Sequence, residues 1–361
     1  MALFNVEGWD LKSEKVAFDN STTKSRKKAA SKKDGNDKVK RGEKRKRDDE
    51  ERKVEKPVVS ESDKHEPEPL SSSPIVKREL TPLQKKMMAK LSGSRFRWIN
   101  EQLYTISSGD ALRLVREQPQ LFDEYHDGFR SQVESWPENP VNVFVDQIRS
   151  RCDRPVNAPG GLPGLKNKEI VIADMGCGEA QLSLEVNNFF QKYNKKVKRF
   201  QQKQCTVHSF DLKKANNRIT VADIKNVPLE DGSCSIVVFC LALMGTNFLD
   251  FIKEAYRLLA PRGELWIAEI KSRFADQKGD EFVNALKLYG FFHKKTDDEN
   301  KMFTRFEFFK PPQDIIEERK AKLERKQKFV EVETEKEELE RKRRKTAEGQ
   351  WLLKPCIYKR R

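Results

Sequence analysis

The run Glu169-Ile-Val-Ile-Ala-Asp-Met-Gly-Cys-Gly-Glu-Ala180 constrains the fold more than any other stretch of this chain. An apolar segment, 170–173, meets an acid and then two glycines one residue apart, the pattern of a buried strand breaking into a tight turn. Glycine serves where backbone takes positive φ or lies against a ligand with no Cβ in the way. The residues after Ala180 open a helix whose free amides face the turn. A nucleotide-like ligand fits that joint. Gly-x-Gly alone also describes an ordinary strand–turn–helix connection, so the downstream spacing has to decide.

Downstream, strand and helix patterns alternate. Strands are expected at 170–175, 206–211, 219–222, 236–240 and 264–270, and helices at 180–193, 247–259 and 278–289. Such alternation implies an α/β fold, a parallel sheet with helices on both faces. Segments 291–295 and 302–310, joined by Thr296-Asp-Asp-Glu-Asn300, read as a hairpin that adds one antiparallel strand. The Lys/Gln-rich stretch 191–204 reads as a surface insertion. Upstream, Thr81 caps and Pro82 begins a helix in which Leu83, Met87 and Leu91 recur at four-residue spacing. Further helices are expected at 108–118 and about 141–151, before a Pro/Gly loop at 155–164. The chain therefore divides into an arm (1–80), a helical region (81–160), the α/β domain (161–311) and a charged helix with a basic tail (312–361).

Charged and apolar residues each make up 36% of the chain, too polar a balance for one core running end to end. Residues 12–80 are rich in Lys, Arg, Asp, Glu, Ser and Pro with hardly an aromatic, and are expected to be disordered. Within them the basic cluster at 40–47 reads either as a solvated charge run or as a nuclear or nucleolar address. Leu3, Phe4, Val6, Trp9 and Leu11 suggest a short docking peptide, against a plain flexible terminus. The net charge of +15 points to a polyanionic partner, with nucleic acid the leading candidate. The longest apolar run, 236–245, is about half a membrane span, and the start lacks a secretory signal, so no membrane partner is expected and the protein should remain inside the cell. The six cysteines contain no C-x-x-C pair, which argues against a metal site or a disulfide framework. Residues 313–346 read as a mostly solvated helix of alternating charge, with 341–345 and the final Lys-Arg-Arg as phosphate contacts.

Three strand ends carry matching chemistry. Gly176 and Gly178 admit close backbone approach. Asp211 ends the second strand, placed to accept hydrogen bonds from ribose hydroxyls. Asp223 and Ile224 follow the third, suited to an adenine's amino group through the carboxylate and a ring nitrogen through the backbone amide. An NAD fold also predicts an acid after the second strand, but Gln181 stands where its third glycine belongs. With the closing antiparallel hairpin, S-adenosylmethionine fits better than a dinucleotide. Arg95 and Arg97 alternate with aromatics in Arg95-Phe-Arg-Trp-Ile-Asn-Glu-Gln-Leu-Tyr104, an arrangement that suits RNA, while Phe96, Ile99 and Leu103 equally form a core stripe. Both hold if the arginines take the opposite face.

Together with these features, Arg97-Trp-Ile-Asn-Glu-Gln-Leu-Tyr-Thr105, Tyr125-His-Asp-Gly-Phe-Arg130, Ala173-Asp-Met-Gly-Cys-Gly178, Val227-Pro-Leu-Glu-Asp-Gly-Ser233, Val238-Phe-Cys-Leu-Ala-Leu-Met-Gly-Thr-Asn247 and Ser272-Arg-Phe274 resemble the ribosomal RNA-processing protein 8 (nucleomethylin-like) family, in its fungal form. The likeness spans about 94–310. It implies a class I S-adenosylmethionine-dependent methyltransferase, Rossmann-like, that acts in the nucleolus on N1 of an adenine in large-subunit ribosomal RNA within pre-ribosomes, with nucleolar proteins as further partners. It implies cofactor contacts at His126, Gly176, Asp211, Asp223, Ile224 and Cys240, and a helical lid in which the His126 segment folds over the cofactor's methionine end. The chain departs from the family at Met175, Glu179 and Ile224 and in the insertion at 191–204. Cys240 is followed by Leu-Ala-Leu and lacks a preceding proline, so it reads as a pocket wall rather than a nucleophile. A second function stands beside catalysis: a cofactor-sensing scaffold tethered to nucleolar RNA or chromatin by its basic arms.

Overall fold

The computed structural model of the protein describes residues 81–274, 276, 278–325 and 329–358. The arm expected over 1–80, with its docking peptide and basic cluster, lies outside them. The strands are β1 (Ile170–Met175), β2 (Cys205–Asp211), β3 (Ile219–Val221), β4 (Cys234–Cys240), β5 (Leu259–Ile270), β6 (Phe292–Asp297) and β7 (Phe303–Phe309). The helices are α1 (Pro82–Thr105), α2 (Ser108–Glu117), α3 (Gln120–Val133), α4 (Pro140–Cys152), α5 (Gln181–Lys196), α6 (Phe248–Leu258), α7 (Asp280–Leu288), α8 (Gln313–Arg325) and α9 (Phe329–Lys345).

All seven strands form one sheet in the order β3-β2-β1-β4-β5-β7-β6. Strands β1 to β5 run parallel, and β7 is antiparallel to both of its neighbours, as the hairpin reading requires. Every residue of β1 is buried, because helices cover both faces of the sheet. Its side chains alternate between two cores. Val171, Ala173 and Met175 join Phe251, Ile252 and Leu286 from α6 and α7. Ile170 and Ile172 join Phe144 and Ile148 from α4 and Val186 from α5. Helix α4, which the sequence reading grouped with the region 81–160, is thus a sheet-face helix.

Helix α1 starts with a full capping box: the Thr81 hydroxyl accepts from the Gln84 N–H, and the Gln84 side chain accepts from the Thr81 N–H. Leu83, Met87 and Leu91 remain exposed, whereas Phe96, Ile99 and Tyr104 in its second half are buried. They pack against α3, the one cover helix that periodicity missed. Gly128 in its middle lowers helical propensity, yet a Cβ there would lie 2.5 Å from Phe96. The glycine is what lets α1 and α3 approach.

The charged helix expected over 313–346 is largely exposed in α8 and α9, but Arg343 and the segment after α9 are tied into the domain, which the sequence reading did not mark. Arg343 is 11% exposed, and its guanidinium pairs with Asp250 at 2.6 Å and Glu348 at 2.5 Å. It is a structural cation rather than a phosphate contact. Leu352 and Leu353 are buried, and Leu353 bridges Phe274. Asn100 Nδ2 donates to the Cys356 carbonyl at 2.8 Å, and the Tyr358 ring lies 5.0 Å from that of Phe96. Helix α9 is held by Arg343, by Glu340, which accepts from the Tyr289 hydroxyl at 2.9 Å, and by Leu339, too sparse a set to read as an apolar stripe. The final Lys-Arg-Arg lies outside the described residues.

The close α1–α3 contact yields a signed prediction for Gly128→Ala. Helix propensity favours alanine by about 1 kcal/mol, while overpacking a full site costs about 1–3 kcal/mol. Because Phe96 is 1% exposed and has no room to move aside, overpacking should win. Urea denaturation should show a variant less stable than wild type; a gain in stability would mean that the contact relaxes freely.

Candidate active site

At the end of β1 the chain turns through Gly176 at φ 75° and Gly178 at φ 57°, and Ala180 at φ 56° begins α5. A Cβ on Gly176 would stand 2.6 Å from that of Ala242 in the loop after β4. On Gly178 it would meet His126 Nε2 at 3.2 Å. Both glycines take the positive φ read from the sequence, and both are crowded by other segments of the protein.

Asp211 closes β2, and its carboxylate fastens the glycine turn. Oδ2 accepts the Gly178 N–H at 2.6 Å and Oδ1 accepts the Leu212 N–H at 2.7 Å. An ionised carboxylate offers about four lone-pair sites, so acceptor capacity remains. After β3, Asp223 Oδ2 accepts the Ser108 hydroxyl at 2.9 Å, and the Ser108 N–H donates to Asn247 Oδ1 at 3.0 Å. Ser108 thus joins α2, the β3 end and the start of α6. His126 sits on α3 with Nδ1 2.8 Å from the Phe122 carbonyl. Nδ1 is the donor there, which in the neutral ring leaves Nε2, the atom facing Gly178, as an acceptor.

The structure brings His126, Gly176, Gly178, Asp211, Asp223, Ile224 and Cys240 to the wall of one cavity of about 870 Å3. Arg95 and Arg97 are not among its lining. Arg95 pairs with Glu124 at 2.8 Å and lies over the Trp98 ring, and Arg97 donates to the Ser94 hydroxyl at 3.0 Å. Helices α2 and α3 cover the strand ends, joined to them by Ser108, by Lys213 with Asp123 at 2.7 Å and by Arg130 with Glu179.

The sequence reading passed over Asp174 and Ser108. Asp174 is 3% exposed, and its carboxylate has no hydrogen-bond partner among the described residues. Burial, reinforced by the nearby Asp211 charge, pushes its pKa up to about 7. Burial also raises Asp211, opposed by His126 and by the two amide hydrogen bonds. Burial raises the Cys240 thiol, and Asp174 and Glu269 raise it further. Cys240 is a neutral wall. Arg130, the single arginine of the cavity lining, is already engaged by Asp127 and Glu179. Two close acids without a committed cation, beside a glycine cradle, suit a nucleoside that carries positive charge. S-adenosylmethionine has that composition: an adenosine with a sulfonium and an ammonium.

The parallel sheet with its inserted antiparallel strand, the glycine turn after β1 and the acids at the β2 and β3 ends define a class I S-adenosylmethionine-dependent methyltransferase. A family model described as a hypothetical methyltransferase matches residues 82–326. A Saccharomyces cerevisiae protein named 25S rRNA (adenine(645)-N(1))-methyltransferase is 68% identical across 100% of both chains. One of the same name from Schizosaccharomyces pombe is 42% identical over 86% of this chain and 94% of its own. Ribosomal RNA-processing protein 8 of Dictyostelium discoideum is 42% identical over 78% of this chain and 60% of its own. The chain belongs to this ribosomal RNA-processing protein 8 family.

The Asp174 environment has a pH consequence. With its folded pKa raised above the unfolded value, the carboxyl contributes stability below about pH 4 that is lost as pH rises through about 7. Asp174→Asn mimics the protonated acid and escapes that loss. The stability gap between variant and wild type, measured without ligand by denaturant titration, should widen in the variant's favour from pH 4 to 7 and then level off. A gap that does not change with pH would mean that Asp174 is not perturbed.

Proposed function

We propose that this protein transfers a methyl group from S-adenosylmethionine to N1 of an adenine in large-subunit ribosomal RNA, as a nuclear, nucleolar step of ribosome biogenesis. The observation that carries the reading is a full-length relative of 68% identity whose name states that activity. The cationic-nucleoside character of the cavity supports it independently.

In this reading Asp211 accepts from the cofactor's ribose hydroxyls with the lone pairs left over from Gly178 and Leu212. Asp223 accepts from the adenine amino group, and the Ile224 N–H, unpartnered among the described residues, meets a ring nitrogen. Gly176 and Gly178 admit the cofactor's methionine chain, His126 closes over it from α3, and Asp174 faces the sulfonium charge. S-adenosylmethionine supplies an electrophilic methyl group held on sulfur. The acceptor, adenine N1, carries a lone pair and no proton, so the step asks for alignment rather than a general base. The loop after β4 fits that demand, since Leu241, Ala242, Leu243 and Met244 are all apolar. N1 lies on the Watson–Crick edge, so the base must leave its helix to reach the site. The surplus of 15 positive charges supports RNA phosphates as the partner, with Arg95 and Arg97 on the outer side of α1 as candidate contacts.

Asp211→Ala should weaken S-adenosylmethionine at least about tenfold, because each charge-assisted hydrogen bond is worth roughly 1.5–3 kcal/mol. Calorimetry showing an unchanged dissociation constant in the folded variant would remove Asp211 from the site. Gly176→Arg meets both a positive φ and Ala242, and should abolish cofactor binding. Mapping N1-methyladenosine on large-subunit rRNA from cells carrying this variant separates catalysis from a cofactor-sensing scaffold role. Loss of the mark supports methyl transfer; full methylation overturns it.

A further inference from the structure

The cavity is longer than the cofactor contacts account for. It runs along the strand ends from β3 to β4, three interstrand steps or about 14 Å, and its volume of about 870 Å3 is near the top of the roughly 300–1,000 Å3 typical of small-ligand pockets. One end is formed by Ser108, Asp223 and Ile224, the residues suited to an adenosine. The other is walled by Tyr125 and Phe129 of α3, Trp136 just beyond it, and Leu241 and Met244 of the loop after β4. None of these residues has a part in holding the cofactor as described above.

The rings at this far end are arranged around the cavity. Tyr125 and Phe129 are near-parallel, 14° apart with centroids 6.3 Å apart, and Phe129 meets Trp136 edge-on at 6.3 Å. Tyr125 Oη donates to the Met244 sulfur at 3.4 Å, which ties the aromatic wall to the β4 loop. Tyr125 and Phe129 are only half-buried, so ring surface stays available.

We infer that this lobe is the subsite for the target adenine, with the half-buried Phe129 as its stacking wall and the buried Trp136 edge-on behind it; the inference rests on the adenine-N1 reading. Charge supports it. In the transfer, the N1 lone pair forms the new C–N bond while the C–S bond breaks and its electron pair stays on sulfur. No proton moves, and the positive charge passes from the sulfonium to the base. The product, 1-methyladenine, is a cation. Aromatic faces attract such a charge, most strongly where water is excluded, and the thioether of Met244 adds a polarizable neighbour. The lobe's rim carries Glu134 and Glu138, and the lining arginine, Arg130, is engaged by acids. The subsite should therefore hold the methylated base more tightly than the unmethylated one.

The test uses the full chain saturated with S-adenosylhomocysteine, so that binding is read without turnover, and adenosine and 1-methyladenosine as probes in calorimetry or saturation-transfer NMR. Wild type should bind 1-methyladenosine more tightly than adenosine. Phe129→Ala should weaken 1-methyladenosine by roughly 5- to 150-fold, the loss expected for one stacked base, while S-adenosylhomocysteine affinity changes less than about twofold. Phe129→Tyr should restore binding, which a merely structural role at the α3 seam would not require. In parallel, kcat/KM for N1-methyladenosine formation on large-subunit rRNA from cells lacking the protein should fall for Phe129→Ala and recover for Phe129→Tyr. Phe129 is only half-buried, so Phe129→Ala is expected to fold. Wild-type methylation together with unchanged nucleoside binding and unchanged kcat/KM in folded Phe129→Ala overturns the subsite alone. If wild type makes no N1-methyladenosine on this RNA, the adenine-N1 reading falls and takes the subsite with it.

Discussion

The ion pair between Arg273 and Glu269 is the contact on which the strand-end machinery depends. Both side chains are 1% exposed, and their nearest charged atoms stand 2.6 Å apart in a close ion contact rather than an aligned hydrogen bond. Buried charges cost several kcal/mol each in lost hydration, and attraction offsets this only where their other groups are satisfied. Here they are. Glu269 Oε1 accepts the Leu243 N–H at 3.0 Å, while Arg273 donates to the Leu243 carbonyl at 2.6 Å and to the Lys354 carbonyl at 2.9 Å. Its guanidinium also lies 4.8 Å from the centre of the Tyr104 ring. One pair therefore joins the β5 end, the loop after β4, the C-terminal tail and the end of α1. Burial works against the charged guanidinium, and the Glu269 carboxylate outweighs it, so the arginine stays firmly protonated.

That anchorage explains a strained residue beside it. Leu241 takes a left-handed φ of 58°, a conformation that costs a residue with a side chain roughly 1–2 kcal/mol. It persists because the Leu241 N–H donates to Ala268 at 2.9 Å and Leu243, two residues on, is clamped at both its N–H and its carbonyl. Strain held by its surroundings at a ligand-lining position is characteristic of functional loops. The result is a rigid apolar floor at the β4 end. The cover formed by α2 and α3 is held differently: Arg130, Glu179 and Asp123 are all largely exposed, and exposed pairs contribute only about 0–1 kcal/mol each. The floor is locked, while the cover is held by these exposed pairs together with the buried Ser108 contact to Asp223.

The chain also separates its charges by place. The whole chain carries a net charge of +15, whereas the cavity wall carries two acids, Asp174 and Asp211, whose charged forms burial disfavours.

From the sequence alone, the alternation of strands and helices, the glycine turn and the acids at 211 and 223 were legible. Each is a local pattern: apolar runs where both faces are buried, glycine where backbone is crowded, an acid at a strand end. The family motifs added His126 and Cys240, neither of which local spacing marks. Only the tertiary structure made α3 a helix with a purpose, because Gly128 reads as a helix weakener until Phe96 is seen against it. Only packing brought Leu352, Leu353 and Cys356 into the core, since α9 is held by the scattered contacts of Leu339, Glu340 and Arg343 and leaves no apolar stripe to read. Asp174 shows the same division: its place after an apolar run was visible, but its unpaired carboxylate and its nearness to Asp211 arise where two parallel strands end side by side. Periodicity reports which way a side chain faces; it does not report what another segment, far away in the chain, brings to meet it.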